Sequence, residues 1–149
     1  MDLRSYQPAD REACLAVFDS NLPEHFHISE REEFAAFLHA PPGSYFVIEH
    51  DGALVACGGH AMERPDLASL TWLMVRRDLH RNGLGKFLVF AAMRKLSATG
   101  NPALVRLHTV PAAAPFFEKL GFRVTNQTPD GIAPGFDRVE MLKKLKVCA

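Results

Sequence analysis

The chain has 149 residues, 48% of them hydrophobic, and its 17 Lys plus Arg are balanced by 17 Asp plus Glu. A length of this order predicts one domain over residues 1–149, with a core large enough to fold without disulfide or metal staples. Zero net charge excludes a chain-wide affinity for nucleic acid or an anionic membrane and leaves room only for a local anion site.

Leu3 to Tyr6 reads as a short first strand, after which Pro8, Ala9 and Asp10 open a helical pattern carried by Ala13, Val17 and Phe18. Met1 to Glu12 meets charged residues at once and contains no apolar stretch of leader length, so a cytoplasmic location is expected. Ser29 with Glu32 has the form of a capping box; Phe34, Phe37 and Leu38 then share one helical face, which should end near Ala40, before Pro41 and Pro42. Tyr45 to His50, the Asp51-Gly52 turn and Ala53 to Cys57 read as an antiparallel hairpin. Gly58 and Gly59 follow, where a bulge or a close backbone approach is expected, and Glu63 to Asp66 is read as a polar loop.

Leu70 to Val75 is apolar throughout, as a strand covered on both faces in the middle of a sheet would be. From Leu84 the positions Phe87, Leu88, Ala91, Ala92 and Leu96 keep helical spacing until Gly100 and Pro102 end it. The longest apolar run, Phe87 to Met93, falls far short of the ~20 residues of a membrane span. Ala103 to Val110 is the next strand, Ala113 to Leu120 a short helix ended by Gly121, and Phe122 to Thr125 a strand. A loop over Thr128 to Gly135 then leads to a last strand, Phe136 to Leu145. Two helices and a hairpin followed by alternating strands and helices predict a mixed α/β (α+β) domain.

Cys14, Cys57 and Cys148 are odd in number and lack CxxC or Cys/His spacing, which excludes a disulfide framework or a zinc module. Cys57, in an apolar strand, reads as a small core residue. His25 and His27 are the one close histidine pair and have no partnered ligands, so no metal is expected.

The turn between the central strand and the longest helix, Arg76-Arg77-Asp78-Leu79-His80-Arg81-Asn82-Gly83-Leu84-Gly85-Lys86, carries four basic residues against one acidic. Glycine allows a tight turn with N–H groups pointing inward, and the helix it opens offers unpaired donors and a positive dipole end to an anion. The spacing is neither GxxxxGK[ST] nor GxGxxG, because Gly83-Leu84-Gly85 continues into Lys86-Phe87-Leu88.

Strand Leu70 to Val75, the turn ending Arg81-Asn82-Gly83-Leu84-Gly85, and the later Phe116-Phe117-Glu118-Lys119-Leu120-Gly121-Phe122 together resemble the GNAT N-acetyltransferase superfamily. The turn matches its pyrophosphate loop, R/Q-x-x-G-x-G/A, and the last segment its late Y-E-K-x-G-F signature, with an order of elements that agrees from about Leu3 to Leu145. The resemblance implies a six- to seven-stranded mixed sheet splayed between strands 4 and 5, with about four helices flanking it and acetyl-CoA bound in the splay. Its pyrophosphate would lie on the backbone N–H groups of Arg81, Asn82, Gly83, Leu84, Gly85 and Lys86, with Arg76 and His80 among the other cofactor contacts. Met74 and Val75 would contact the pantetheine arm through their main chain, with Ala112, Phe116 and Phe117 along its other side.

The pattern is broken at three places. His80 stands where the motif has Arg or Gln, Pro111 where many members have an Asn, and Phe117 where a tyrosine often protonates the departing thiolate. A thiol of pKa near 8.5 can leave unprotonated near neutral pH at ~2 kcal/mol, so the missing hydroxyl does not exclude catalysis. An acceptor amine of pKa ~10.4 must first lose a proton, and His60, Glu63 and His108 are the candidate bases; spacing does not select among them. Phe18, His25, Phe26, His27 and Trp72 are the candidates for shaping the acceptor pocket. The resemblance therefore implies transfer of an acetyl group to an amine on a small molecule or peptide, with a homodimer as the family-level expectation. The alternative is a coenzyme A-binding module that has kept the fold and lost the chemistry.

Overall fold

The computed structural model describes residues 2–100 and 102–145. Seven strands, β1 (Asp2–Ser5), β2 (Ser44–His50), β3 (Ala53–Arg64), β4 (Leu67–Val75), β5 (Leu104–Thr109), β6 (Arg123–Ala133) and β7 (Phe136–Lys144), form one sheet in the order β1-β2-β3-β4-β5-β7-β6. Neighbours are antiparallel except β4 and β5, which run parallel. The helices are α1 (Arg11–Ser20), α2 (Arg31–Phe37), α3 (Leu84–Thr99) and α4 (Ala114–Lys119).

Period-two alternation along β2 sends Tyr45 and Val47 to one face of the sheet and Phe46 and Ile48 to the other. The first face is covered by α1 and α2 through Cys14, Val17, Phe18 and Phe34, which pack with Cys57 and Met74. The second is covered by α3 through Leu84, Leu88, Val89, Ala92 and Leu96, which pack with Ala56, Leu70 and Val105. The apolar run in β4, interrupted between Leu70 and Val75 only by Thr71, follows from this sandwich: Met74 belongs to one cluster, Leu70 and Val75 to the other.

Three local expectations change. β3 continues through Gly58 and Gly59 to Arg64, so Glu63 is a strand residue and the turn narrows to two residues. The glycines serve close approach: a Cβ on Gly59 would overlap the Ser44 carbonyl, and one on Gly58 would press on Leu73 and Leu88. The capping box lies two residues earlier than Ser29 and closes a 3-10 turn, while α2 itself starts from Glu30. His27 Nδ1 accepts from Ser29 N–H at 3.1 Å, and Glu30 accepts from His27 N–H at 2.9 Å, so a 3-10 turn at Ile28–Glu30 leads into the helix, which ends at Phe37. The expected loop from Thr128 is mostly strand: β6 runs on to Ala133, its extra residues absorbed by a register shift between Thr128 and Ala133 that puts Asp130 at φ +53°.

Candidate active site

The opening in the sheet is the feature that builds the site. β4 and β5 pair over only Leu67↔Leu104, Ala68↔Val105 and Ser69↔Arg106, although β4 continues to Val75 and β5 to Thr109. Beyond Ser69 the strands separate, and their facing edges give up main-chain pairing in the middle of a sheet. A bulge in β4 re-aims this edge. The β3–β4 register passes from Cys57↔Met74 to Gly59↔Thr71, so two residues of β3 face three of β4, and Trp72 is held at φ +42°. The strained peptide is tied down by the Tyr45 hydroxyl, which donates to the Trp72 carbonyl at 2.8 Å.

At the C-terminal end of β4 the chain turns through Arg77–Leu79 into α3. Gly83 is the N-cap of α3 at φ +79°, and Arg81 precedes it at φ +68°. The first helical bond seen is Phe87 N–H to the Gly83 carbonyl at 3.0 Å, so the N–H groups of Leu84, Gly85 and Lys86 lie outside the helical ladder. A Cβ on Gly85 would sit 3.2 Å from the Phe116 ring, so α4 approaches the cradle at that glycine, where a side chain would narrow the space. Donors, a left-handed turn and a gap kept clear of side chains fit a pyrophosphate.

The loop is held from behind. The Val75 carbonyl accepts from Asn21 Nδ2 at 2.9 Å and lies 2.9 Å from His80 Nε2. Arg77 pairs with Glu24 at 2.7 Å, its N–H donates to Ser20 Oγ at 3.1 Å, and the His25 ring stands edge-on to His80. His80, which departs from the motif, therefore fastens the loop to β4. Because the Val75 carbonyl is taken, any main-chain contact from β4 to a pantetheine arm falls to the neighbouring groups.

On the α1–α2 face, polar side chains line a cavity of about 300 Å³: Arg106, His108, Asn126, Thr128, Arg138 and Glu140. They come from alternate positions of β5, β6 and β7, whose other positions, Val105, Leu107, Val139 and Met141, are core. His108 lies two residues past the last β4–β5 pair, level with Thr71 across the opening, and its Nε2 is 3.6 Å from Glu140. Burial, with Arg138 next in effect, pushes the His108 pKa down, so the ring is neutral near pH 7. The nearby carboxylate favours the proton on Nε2 and leaves Nδ1 as the basic atom. Thr71 Oγ1 and Arg106 Nε are buried without a hydrogen-bond partner, which marks capacity for a ligand at the opening.

The other sequence-predicted residues divide by place. Glu63 is engaged by Arg106 across β4. His60 is buried, lines a separate depression of about 390 Å³ with Pro42, Ser44 and Met62, and feels Lys95 of α3 as its nearest charge. Phe26 and Trp72 stack at 6.1 Å and are partly exposed, whereas Phe18 is fully buried beneath Phe26 and Phe34. His27 touches the Phe136 ring at 4.8 Å, joining the α1–α2 connection to the β6–β7 hairpin. Phe117 turns toward Phe122 while Phe116 stays exposed beside Gly85. Ala112 is an exposed residue of the turn before α4. Sequence reading missed Asn21, Tyr45, Arg106, Arg138 and Glu140. The signal for the last three was polar residues at period two inside otherwise apolar strands.

Among the described residues no group of three or more His, Cys, Asp or Glu could hold a metal, and no helix is long and apolar enough to cross a membrane. The sequence model of the Acetyltransferase (GNAT) family matches residues 11–122, and the chain belongs to that family. No curated protein matches the sequence. Solved structures share the fold. A GCN5-related N-acetyltransferase from Kribbella flavida superposes with TM-score 0.75 at 20% identity, covering 97% of each chain. An aminoglycoside 6'-N-acetyltransferase complexed with coenzyme A gives TM-score 0.78 at 16% identity, over 100% of this chain and 99% of that one. A ribosomal-protein-alanine N-acetyltransferase from Brucella melitensis gives 0.74 at 16%, over 97% and 100%. At these identities the likeness is one of fold.

Proposed function

We propose that this chain is an acetyl-CoA-dependent N-acetyltransferase. The observation that carries the reading is the opening between β4 and β5 with the glycine-led start of α3 at its mouth. Acetyl-CoA supplies an activated acetyl thioester, and the solved relative complexed with coenzyme A supports its binding to this fold. The N–H groups of Leu84, Gly85 and Lys86 hold the pyrophosphate, Arg81 adds positive charge, and Phe116 closes the other side.

Of the three candidate bases the geometry favours His108. It is neutral at working pH, faces the opening, and has Glu140 beside it to stabilise the charge it takes up. Glu63 is committed to Arg106, and His60 is buried toward α3. The net exchange converts an ammonium and a thioester into an amide, a thiol and a proton. Phe117 contributes no acid, so the thiol proton comes from water or from the protonated base.

Isothermal calorimetry with acetyl-CoA, followed by thiol release in the presence of a mixed amine panel, tests the proposal. Micromolar binding and amine-dependent thiol release are expected. Binding without release from any amine would favour the coenzyme-binding module, a reading that Phe117 and Pro111 support. Absence of binding would overturn both.

A further inference from the structure

The cavity beside His108 is lined by charges that bear on the choice of amine, and the inference drawn from them rests on the transferase reading. Its charges are not equivalent. Arg106 is engaged by Glu63. Glu140 approaches both Arg106, at 3.9 Å, and His108, at 3.6 Å, and accepts from Thr125 Oγ1 at 2.9 Å. Arg138 lines the same cavity and makes no ion pair among the described residues. Its positive charge nevertheless reaches His108. Arg138 and Glu140 stand at i and i+2 on one face of β7, about 7 Å apart at roughly 3.4 Å per residue. The cavity thus presents a base and a carboxylate at one end and an unspent guanidinium a few ångströms away.

We infer that the acceptor is a small amino acid-like zwitterion, its ammonium set against His108 and Glu140 and its carboxylate against Arg138. The size agrees: about 300 Å³ is at the lower end of small-molecule sites. The His27–Phe136 contact ties together the two segments that wall this side, which leaves space for a compact molecule and disfavours an extended peptide. An unpaired arginine also opposes polyamines and other polycations. Main-chain groups on the open edge of β4 and the Phe26–Trp72 surface are left to meet the acceptor's side chain.

The test compares phenylalanine, methionine and aspartate with their α-amides, and with phenethylamine, spermidine and a tetrapeptide, by thiol release from acetyl-CoA. The amide's amine sheds its proton more readily than that of the free acid, so a preference for the acid cannot come from amine reactivity. For at least one amino acid, kcat/KM is expected to exceed that of its amide by about tenfold or more, as a charge-assisted contact would provide. Arg138→Gln should raise KM for that acid by about the same factor and bring acid and amide to parity, with Arg138→Lys restoring part of the difference. Unchanged Tm and acetyl-CoA affinity would show that Arg138→Gln still folds. Amides, spermidine or the tetrapeptide working as well as the acids, or an acid preference that survives Arg138→Gln, overturns the inference and leaves the transferase standing. Release from none of these amines but from another member of the mixed amine panel overturns this inference alone, and release from no amine at all, with acetyl-CoA bound, overturns the transferase reading with it.

Discussion

At the scale of single residues, three positions carry the proposed chemistry. As the proposed base, His108 works only when neutral. Burial holds its pKa below the ordinary 6.5, so the acid limb of the kcat/KM profile should lie below that value. His108→Gln should lower kcat by about 10²- to 10⁴-fold and abolish that limb, whereas a substitution at His60 should leave the limb in place. Gly83 makes a different kind of prediction. A Cβ there meets nothing within 4 Å, so the obstacle to any side chain is φ +79° alone. Gly83→Val should destabilise the fold by about 1–2 kcal/mol and weaken acetyl-CoA binding, read by denaturant unfolding and calorimetry. Gly85→Leu should act the other way, with stability little changed and the cradle obstructed, because its side chain meets Phe116. The glycines at the start of α3 were legible in the sequence because they obey a spacing. His108 was legible only as one of three, because nothing in a linear pattern reveals that Glu63 is paired with Arg106 or that His60 faces α3.

At the scale of elements, polar ties set boundaries that periodicity does not reveal. β1 is four residues long and is anchored by Arg4, whose guanidinium meets both Asp10 oxygens at 2.8 Å and Glu49 at 2.6 Å. Asp10 also accepts from Gln7 N–H at 2.8 Å, which fixes the turn into α1. Arg4 holds the Asp10 carboxyl below its ordinary 3.8, so its stabilisation is complete above pH 3.8 and disappears as pH falls through the lowered folded-state value. Asp10→Asn should therefore lower stability by about 1–2 kcal/mol at neutral pH and by progressively less in acid, as denaturant titrations across pH would show. The bulge in β4 depends on a similar tie: Tyr45→Phe leaves the Trp72 carbonyl without its donor and should cost about 1 kcal/mol. The apolar run of β4 announced a central strand, but the bulge and the divergence from β5 arise from pairing partners 12 or more residues away, and only the family resemblance anticipated the splay. The run of polar residues in β6 concealed its length, since a strand exposed over nearly all its positions lacks the alternation that reveals one.

For the molecule as a whole, three histidines on different elements, His25, His60 and His108, are all held below 6.5, with burial the first cause in each. The unfolded chain protonates these rings first, so stability should fall as pH drops below about 6.5 toward their folded-state values and level off once those are passed. Tm measured between pH 8 and 5 should decline, and His60→Phe should flatten part of that slope. Balanced charge left any anion site to local clusters, and within the cavity beside His108 Arg138 is the charged residue without an ion pair among the described residues. The stapling of the cradle to the end of α1 bears on the order of events. Ser20, Asn21, Glu24 and His25 all grip Val75–His80, and the same chain segment continues into Phe26 and His27 on the acceptor side. In the proposed reaction, a pyrophosphate held by this loop would therefore also bear on the wall against which the amine lodges, and such coupling is reciprocal. Asn21→Ala, which touches neither ligand, should weaken acetyl-CoA binding and acceptor KM together, and kinetics should show a compulsory sequence in which the coenzyme arrives first.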